Sequence, residues 1–482
     1  MRAVLPIGPY EPDRARYAKD ASNVILNARP VADGWGPLPS LETFTSALSG
    51  EPRGAFTGIS PDGTVAAFAW TATAAWRLQS DGTWSDVKSG AYSLAAGDKW
   101  TADLFGSRVI VTNITDGVEY WDIGSSSAFA TLPGSPPNAK YVRTVGDFVV
   151  LGHISGTPNK ITWSGLNNSE EWTSGEELSD SQTFADGGAV QGILEVSGGA
   201  LVFQERCIRS MQFVPESDYT FAFTYANAER GVVAPHSIVK IGPGDFVYLS
   251  RDGFFRGLNT AIGAEKVDAT FFEVADPDEI QYVEGAADPR EKIVWWRVKT
   301  TVGTYAIFGY DWQLNRWFRS DTNITGLATM ATSAVTLEDL DTLYTGGMDS
   351  VTLNTDSPAL SGGTPAFAAF DASFKLGYFT GVAQAATLET GTAQLNPQGR
   401  SFVRGVEMIG DLGTDFTAKI GKSDYHDEVE TFGDELSPSS ATGIVRARSS
   451  GRMHRIRAMI AEAASWSHVS AVAVDYTNAG RR

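Results

Sequence analysis

The chain has 482 residues, 42% of them hydrophobic and 20% charged, which is the balance of a globular protein with length for two or three domains and a sizeable core. Its formal charge of −19 speaks against a protein that coats nucleic acid, because phosphate binding needs lysines and arginines to displace counterions. A wall past which DNA slides without sticking remains compatible with that charge. The single cysteine, Cys207, excludes an internal disulfide, and no group of cysteines and histidines has the spacing of a structural zinc site.

The N-terminus, "MRAVLPIGPYEPDRAR", has no apolar core of secretory length, and nowhere do about 18 apolar residues follow one another. The expectation is a protein made in the cytosol, with no membrane partner. Residues 1–50, with "NVILNARPVADGWGPLPSLETF", read as an extended Pro- and Gly-rich arm. It has too little apolar surface to fold alone and is expected to pack on the C-terminal domain.

From about residue 51 a repeat sets in. Short apolar strands, mostly preceded by a Gly-containing turn, recur at "DGTVAAFAW" (Val65), "GSRVIVTNI" (Val109), "GDFVVLGHI" (Phe148), "GGALVFQE" (Leu201), "GDFVYLSRDG" (Phe246), "REKIVWWRV" (Ile293) and "LDTLYTGG" (Leu343). The spacings are 44, 39, 53, 45, 47 and 50 residues, the period of propeller blades. About ten residues after each comes a second, mostly aromatic-bearing element: "AAWRL", "VEYWDI", "KITWSG", "IRSMQFV", "GFFRGL", "YAIFGYD" and "SVTLN". Fifty glycines, with turns such as "SPDG", "TDG" and "RDG", supply tight hairpins. The prediction is an all-β chain with a six- or seven-bladed propeller over residues 51–358.

"TDSPALSGGTP" reads as an exit linker. Beyond it the period is lost while strand patterns continue in "FAAFDASFKLGYFTG", "FVRGVEMIGDL", "FTAKIGKS", "GIVRARSS" and "AVAVDYTN". Residues 359–482 are therefore assigned to a β-sandwich-like domain completed by the N-terminal arm. Within it "HRIRAMI" suits a short helix or a strand.

Several segments resemble chemical motifs and fail on spacing. In "RLQSDGTWSDV", Ser80, Asp81, Gly82, Thr83 and Trp84 are contiguous, whereas a sialidase Asp box separates them at fixed steps; a hairpin turn followed by a strand Trp explains the residues. Gly421-Lys422-Ser423 matches the tail of a P-loop, but Phe416 stands where its first glycine belongs. His153, His236, His426, His454 and His468 are scattered, no G-x-S-x-G elbow occurs, and Cys207 sits in a blade strand as a buried thiol would. No catalytic, cofactor-binding or metal-binding residue is assigned, and no cofactor is expected.

Charge is distributed more tellingly. Asp424 to Glu435, "DYHDEVETFGDE", carries six acids and no base, including Asp427, Glu428 and Glu430. From Gly443 onward, Arg446, Arg448, Arg452, Arg455, Arg457, Arg481 and Arg482 face only Glu462 and Asp475. An acidic loop and a basic edge on one domain are candidates for head-to-tail contacts in a ring or with an adaptor; solvated faces would look the same.

The arm "NVILNARPVADGWGPLPSL" and the closing "SGRMHRIRAMIAEAASWSHVSAVAVDYTNAGRR" give the chain a resemblance to the tail nozzle or hub proteins of short-tailed bacteriophages, the packaged-DNA-stabilisation or tail tubular protein B type. The resemblance implies a structural, non-enzymatic virion component made in the host bacterial cytoplasm. It implies a hexameric ring below the portal adaptor, with tail fibre, spike or needle proteins as further neighbours, and a lumen that retains and then conducts double-stranded DNA. The competing expectation is a propeller that binds or cleaves glycans, with Trp35, Trp172 or Trp312 in its site; a cellular scaffold propeller is a third.

Overall fold

The computed structural model describes residues 1–15, 17–217, 219–332, 357–361, 363–425 and 428–480. The described residues form seven four-stranded antiparallel blades and a two-sheet sandwich. Blades one to five are consecutive meanders, beginning at Gly54–Ile59, Thr101–Phe105, Ala139–Val145, Val190–Val196 and Val239–Gly242. Blade six runs from Glu284–Asp288 to Arg316–Ser320.

The apolar repeats are the second strands of blades one to six: Val65–Trp70, Arg108–Asn113, Phe148–Ile154, Gly199–Gln204, Asp245–Ser250 and Ile293–Lys299. Each lies between two neighbouring blades and is buried on both faces, which is why it reads as a continuous apolar run. In blades one to five the hairpin into this strand turns on a glycine of positive φ, namely Gly63, Gly106, Gly146, Gly198 and Gly244, at 56° to 88°. A side chain there would strain the turn.

Aromatic rings fill the seams between blades. Phe68 meets Trp121 at 5.2 Å between blades one and two, Phe254 meets Trp296 at 4.6 Å between five and six, and Trp295 stacks on Phe367 at 4.9 Å between six and seven. Such contacts add about 0.5–1.5 kcal/mol each beyond area burial. Some buried indoles find acceptors, Trp296 Nε1 in the Ser237 carbonyl (3.1 Å) and Trp317 Nε1 in that of Ile262 (2.9 Å), while those of Trp70 and Trp295 have none.

Blade seven moves both expected domain boundaries. Its strands are Ile324–Met330, Ala366–Asp371, Lys375–Ala383 and, outermost, Pro39–Ala47 from the arm, with Gly377 opposite Thr43 and Phe379 opposite Leu41. The N-terminal strand thus closes the ring beside blade one, where Thr57 Oγ1 donates to the Ala331 carbonyl at 3.2 Å. The propeller therefore spans 39–383, not 51–358, and "FAAFDASFKLGYF" is blade rather than sandwich. Leu343 and "SVTLN", expected to supply the seventh repeat, lie outside the described residues.

The sandwich takes strands from both ends of the chain. One sheet orders Ala28–Val31, Gly34–Pro37, Val469–Asn478, Ser401–Gly410 and Val445–Gly451, with Arg2–Pro6 also paired to Val469–Asn478. The other runs Ile25–Leu26, Ala386–Glu389, Met453–Ile460, Phe416–Ser423 and Thr431–Phe432. "HRIRAMI" is thus strand; a short helix stands instead at Asp268–Val274, where Asp13 of the arm accepts the N–H groups of Ala269 and Thr270, both at 2.8 Å. Ile25–Leu26 also pairs in parallel with blade six, Leu26 against Arg319, so blade six and the second sandwich sheet form one nine-stranded sheet. Their cores are continuous, from Trp296 and Phe318 to Ile420, Ile456 and Val474.

Candidate interaction surface

The candidate interface residues divide into two groups. Arg446 and Arg448 alternate with buried Val445 and Ala447 on the edge strand of the first sandwich sheet, so both arginines point outward. Together with Arg404, Lys422 and the single acid Asp434 they line a groove of about 900 Å³ at the open edge between the two sheets. None of these four cations makes an ion pair within the described chain. Arg452 is likewise exposed, at the point where the chain crosses from the first sandwich sheet to the second.

Arg455 and Glu430 are buried away from that surface, and the expectation that they contact a neighbouring subunit is corrected; Arg457 lies outside the groove and stays a third exposed. Arg455 is 5% exposed. It lies 3.4 Å from Glu389 and 3.4 Å from Glu430, and donates to Thr392 Oγ1 (3.1 Å) and Asn23 Oδ1 (3.0 Å). Glu430 is 8% exposed and accepts from Thr392 Oγ1 at 2.5 Å. Arg457 pairs with Glu389 and lies over the Phe432 ring at 4.2 Å. Burial pushes the Glu389 carboxyl up, opposed by the two arginines. A guanidinium with several buried partners is held inside a domain and unavailable to a neighbour.

The acidic loop stays outside in part. Glu428 is exposed and accepts the Asp424 N–H at 2.8 Å, while a hydrogen bond and ion pair from Arg400 hold the Asp424 carboxyl below its ordinary range. Asp427 lies outside the described residues. Sequence reasoning missed Arg404 and Lys422: Arg404 sits at a register shift between Val403 and Gly405 that no local pattern announces, and Lys422 drew notice only as a P-loop remnant.

The remaining motif residues are structural. "SDGTW" is the turn between the third and fourth strands of blade one: Asp81 accepts from the Thr83 N–H (2.9 Å) and Oγ1 (2.6 Å), Gly82 takes φ 72°, and Trp84 Nε1 donates to the Ser46 carbonyl at 3.1 Å. Trp35 is fully buried and donates to the Gly8 carbonyl, Trp172 packs at the seam of blades two and three, and Trp312 packs on the main core. Cys207 is buried against Gln204. Among the described residues no group of three or more His, Cys, Asp or Glu side chains is placed to hold a metal, and no helix is long and apolar enough to cross a membrane.

Fold and surface together define an all-β protein, a seven-bladed propeller fused edge-to-edge with a sandwich. No protein-family model and no curated protein matches the chain. Solved structures match the chain at low identity and low TM-score. BamB from Moraxella catarrhalis is 12% identical over 63% of this chain and 88% of its own, with a TM-score of 0.34. The N-terminal domain of Nup159 is 11% identical over 73% and 93% (TM-score 0.37), and the exo-β-1,3-galactanase from Phanerochaete chrysosporium 11% over 90% and 100% (TM-score 0.29). Likeness at this level carries no argument about function.

Proposed function

We propose that the chain is a structural component of a short-tailed bacteriophage tail, a nozzle or hub subunit that forms a ring below the portal adaptor, helps retain packaged DNA and conducts it at ejection. One observation carries the reading: the two end segments on which the sequence resemblance rests interlock. Asn23 of the arm bonds Arg455 of the closing segment at 3.0 Å, Trp35 pairs with Val469, and the Asp33 carbonyl meets the His468 ring. Gly34, at φ 126°, lies so close to the Val469 carbonyl that a Cβ would stand 2.4 Å from it.

The sandwich built by those ends presents an unpaired basic groove on a chain of net charge −19, which suits docking of an acidic surface from a neighbouring subunit or adaptor. Its continuous sheet with blade six makes each subunit a stiff wedge for ring packing. Reversing Arg404, Arg446 and Arg448 to Glu tests the groove. The expected protein folds with an unchanged thermal transition and is absent from purified particles; normal incorporation would contradict docking through this groove.

A further inference from the structure

The seven inner strands enclose a channel, and at one end of it charged side chains gather that the tail reading does not use. Arg53 and Lys99 just precede the inner strands of blades one and two, and Glu284 opens that of blade six. Arg297 sits opposite Glu284 in the next strand. A cavity of about 360 Å³ lies among Arg53, Lys99, Arg297, Lys299, Tyr282 and Tyr305, and a second of about 340 Å³ adjoins it across Lys99 and Tyr282.

The charges do not balance. Lys299 pairs with Glu279 at 2.7 Å and Arg53 with Glu51 at 2.9 Å. Lys99 and Arg297 share a single carboxylate, Glu284, at 2.7 and 3.2 Å, and none of these three side chains is more than 13% exposed. One positive charge is left over where water is scarce, and burial pushes the Lys99 ammonium down in response. Arg297, 7% exposed, has Nε and Nη1 without a hydrogen-bond partner, and Nε of Arg53 has none either. Buried donors of this kind are normally satisfied. Tyr305 lies 4.3 Å from the guanidinium carbon and fixes its plane.

We propose that this end of the channel binds an oxyanion, one carboxylate or phosphate group held by Arg297 and Lys99, on a ligand of about one sugar ring in size seated beside Tyr282 and Tyr305. An unpartnered guanidinium N–H donates a charge-assisted hydrogen bond to an oxyanion oxygen, the Lys99 ammonium adds a point charge beside it, and the cavity has the volume of a small-ligand site. The inference stands apart from the tail reading, since it concerns the propeller alone.

The test is thermal-shift and calorimetric titration of the full chain, dialysed free of other oxyanions and held at constant ionic strength, with D-glucuronate, glucose 6-phosphate and neutral glucose as probes. A saturable rise in Tm with glucuronate assigns a carboxylate site, one with glucose 6-phosphate a phosphate site, and glucose is expected to give none. Lys99→Met leaves Glu284 and Arg297 as a matched pair and so is expected to fold. It and Arg297→Met should weaken the response at least tenfold. No saturable response, a response to glucose equal to that of the anions, or an undiminished response in a folded Lys99→Met protein would overturn the proposal.

Discussion

Arg455 shows how little residue type says about role. On the sequence it is one of seven arginines in an edge-like run; in the fold it is the hub of a buried network with Glu389, Glu430, Thr392 and Asn23. Arg455→Met should destabilise the protein by about 3–5 kcal/mol, because buried Glu430 loses its counter-charge and Glu389 keeps only Arg457. The sign with pH follows from Glu389, whose carboxyl is already pushed up by burial. The deficit should be greatest at neutral pH and shrink as acid protonates that group. Denaturant unfolding at several pH values measures it, and a loss below about 1 kcal/mol would contradict the network's role. Arg446 and Arg448, by contrast, were legible as surface residues, because they alternate with Val445 and Ala447. Alternation reads solvent exposure directly, whereas Arg455 needed the register with Ala386–Glu389 and Phe416–Ser423 and a contact with Asn23, 432 residues away.

At the scale of elements, the strands that could be read were those buried on both faces. Val65–Trp70 and its five counterparts each carry a continuous apolar run, and in blades one to five that run follows a turn glycine, so period and register emerge together. The closing strand Pro39–Ala47 escaped because it is the outer strand of its blade, half exposed along most of its length. Its partners were hidden for another reason: Ala366–Asp371 follows its blade's first strand, Ile324–Met330, only after an intervening stretch of chain, which breaks the period. Deleting residues 1–7 should remove one sandwich strand and leave a cooperative propeller transition. Deleting residues 1–48 should abolish that transition, since it strips Leu41, Phe44 and Leu48, each worth about 1.5–3 kcal/mol when buried, from blade seven and opens the ring. Calorimetry of the two truncations distinguishes them; equal transitions would show that the strand does not close the propeller.

For the whole molecule, composition and period gave the all-β class and the propeller, while the joining of its parts lay in contacts between the chain's two ends. Residues 2–6 pair with 471–475, Ile25–Leu26 welds sandwich to blade six, and Pro39–Ala47 closes the ring, so one arm ties three structures together. Such a body resists bending between propeller and sandwich, which is what a ring subunit around a DNA conduit requires. Its acidic balance suits the proposed conduit, whose wall has to leave a duplex unbound, and the groove of Arg404, Lys422, Arg446 and Arg448 is the local exception proposed for protein contact.

The most direct measurement is a cryo-electron-microscopy reconstruction of the particle from the source culture, with this chain identified in it by mass spectrometry. The account predicts six copies in a ring beneath the portal adaptor, enclosing a channel wide enough for duplex DNA, with the sandwich groove at a protein contact. Density on peripheral fibres only, or absence of the chain from particles, would contradict it.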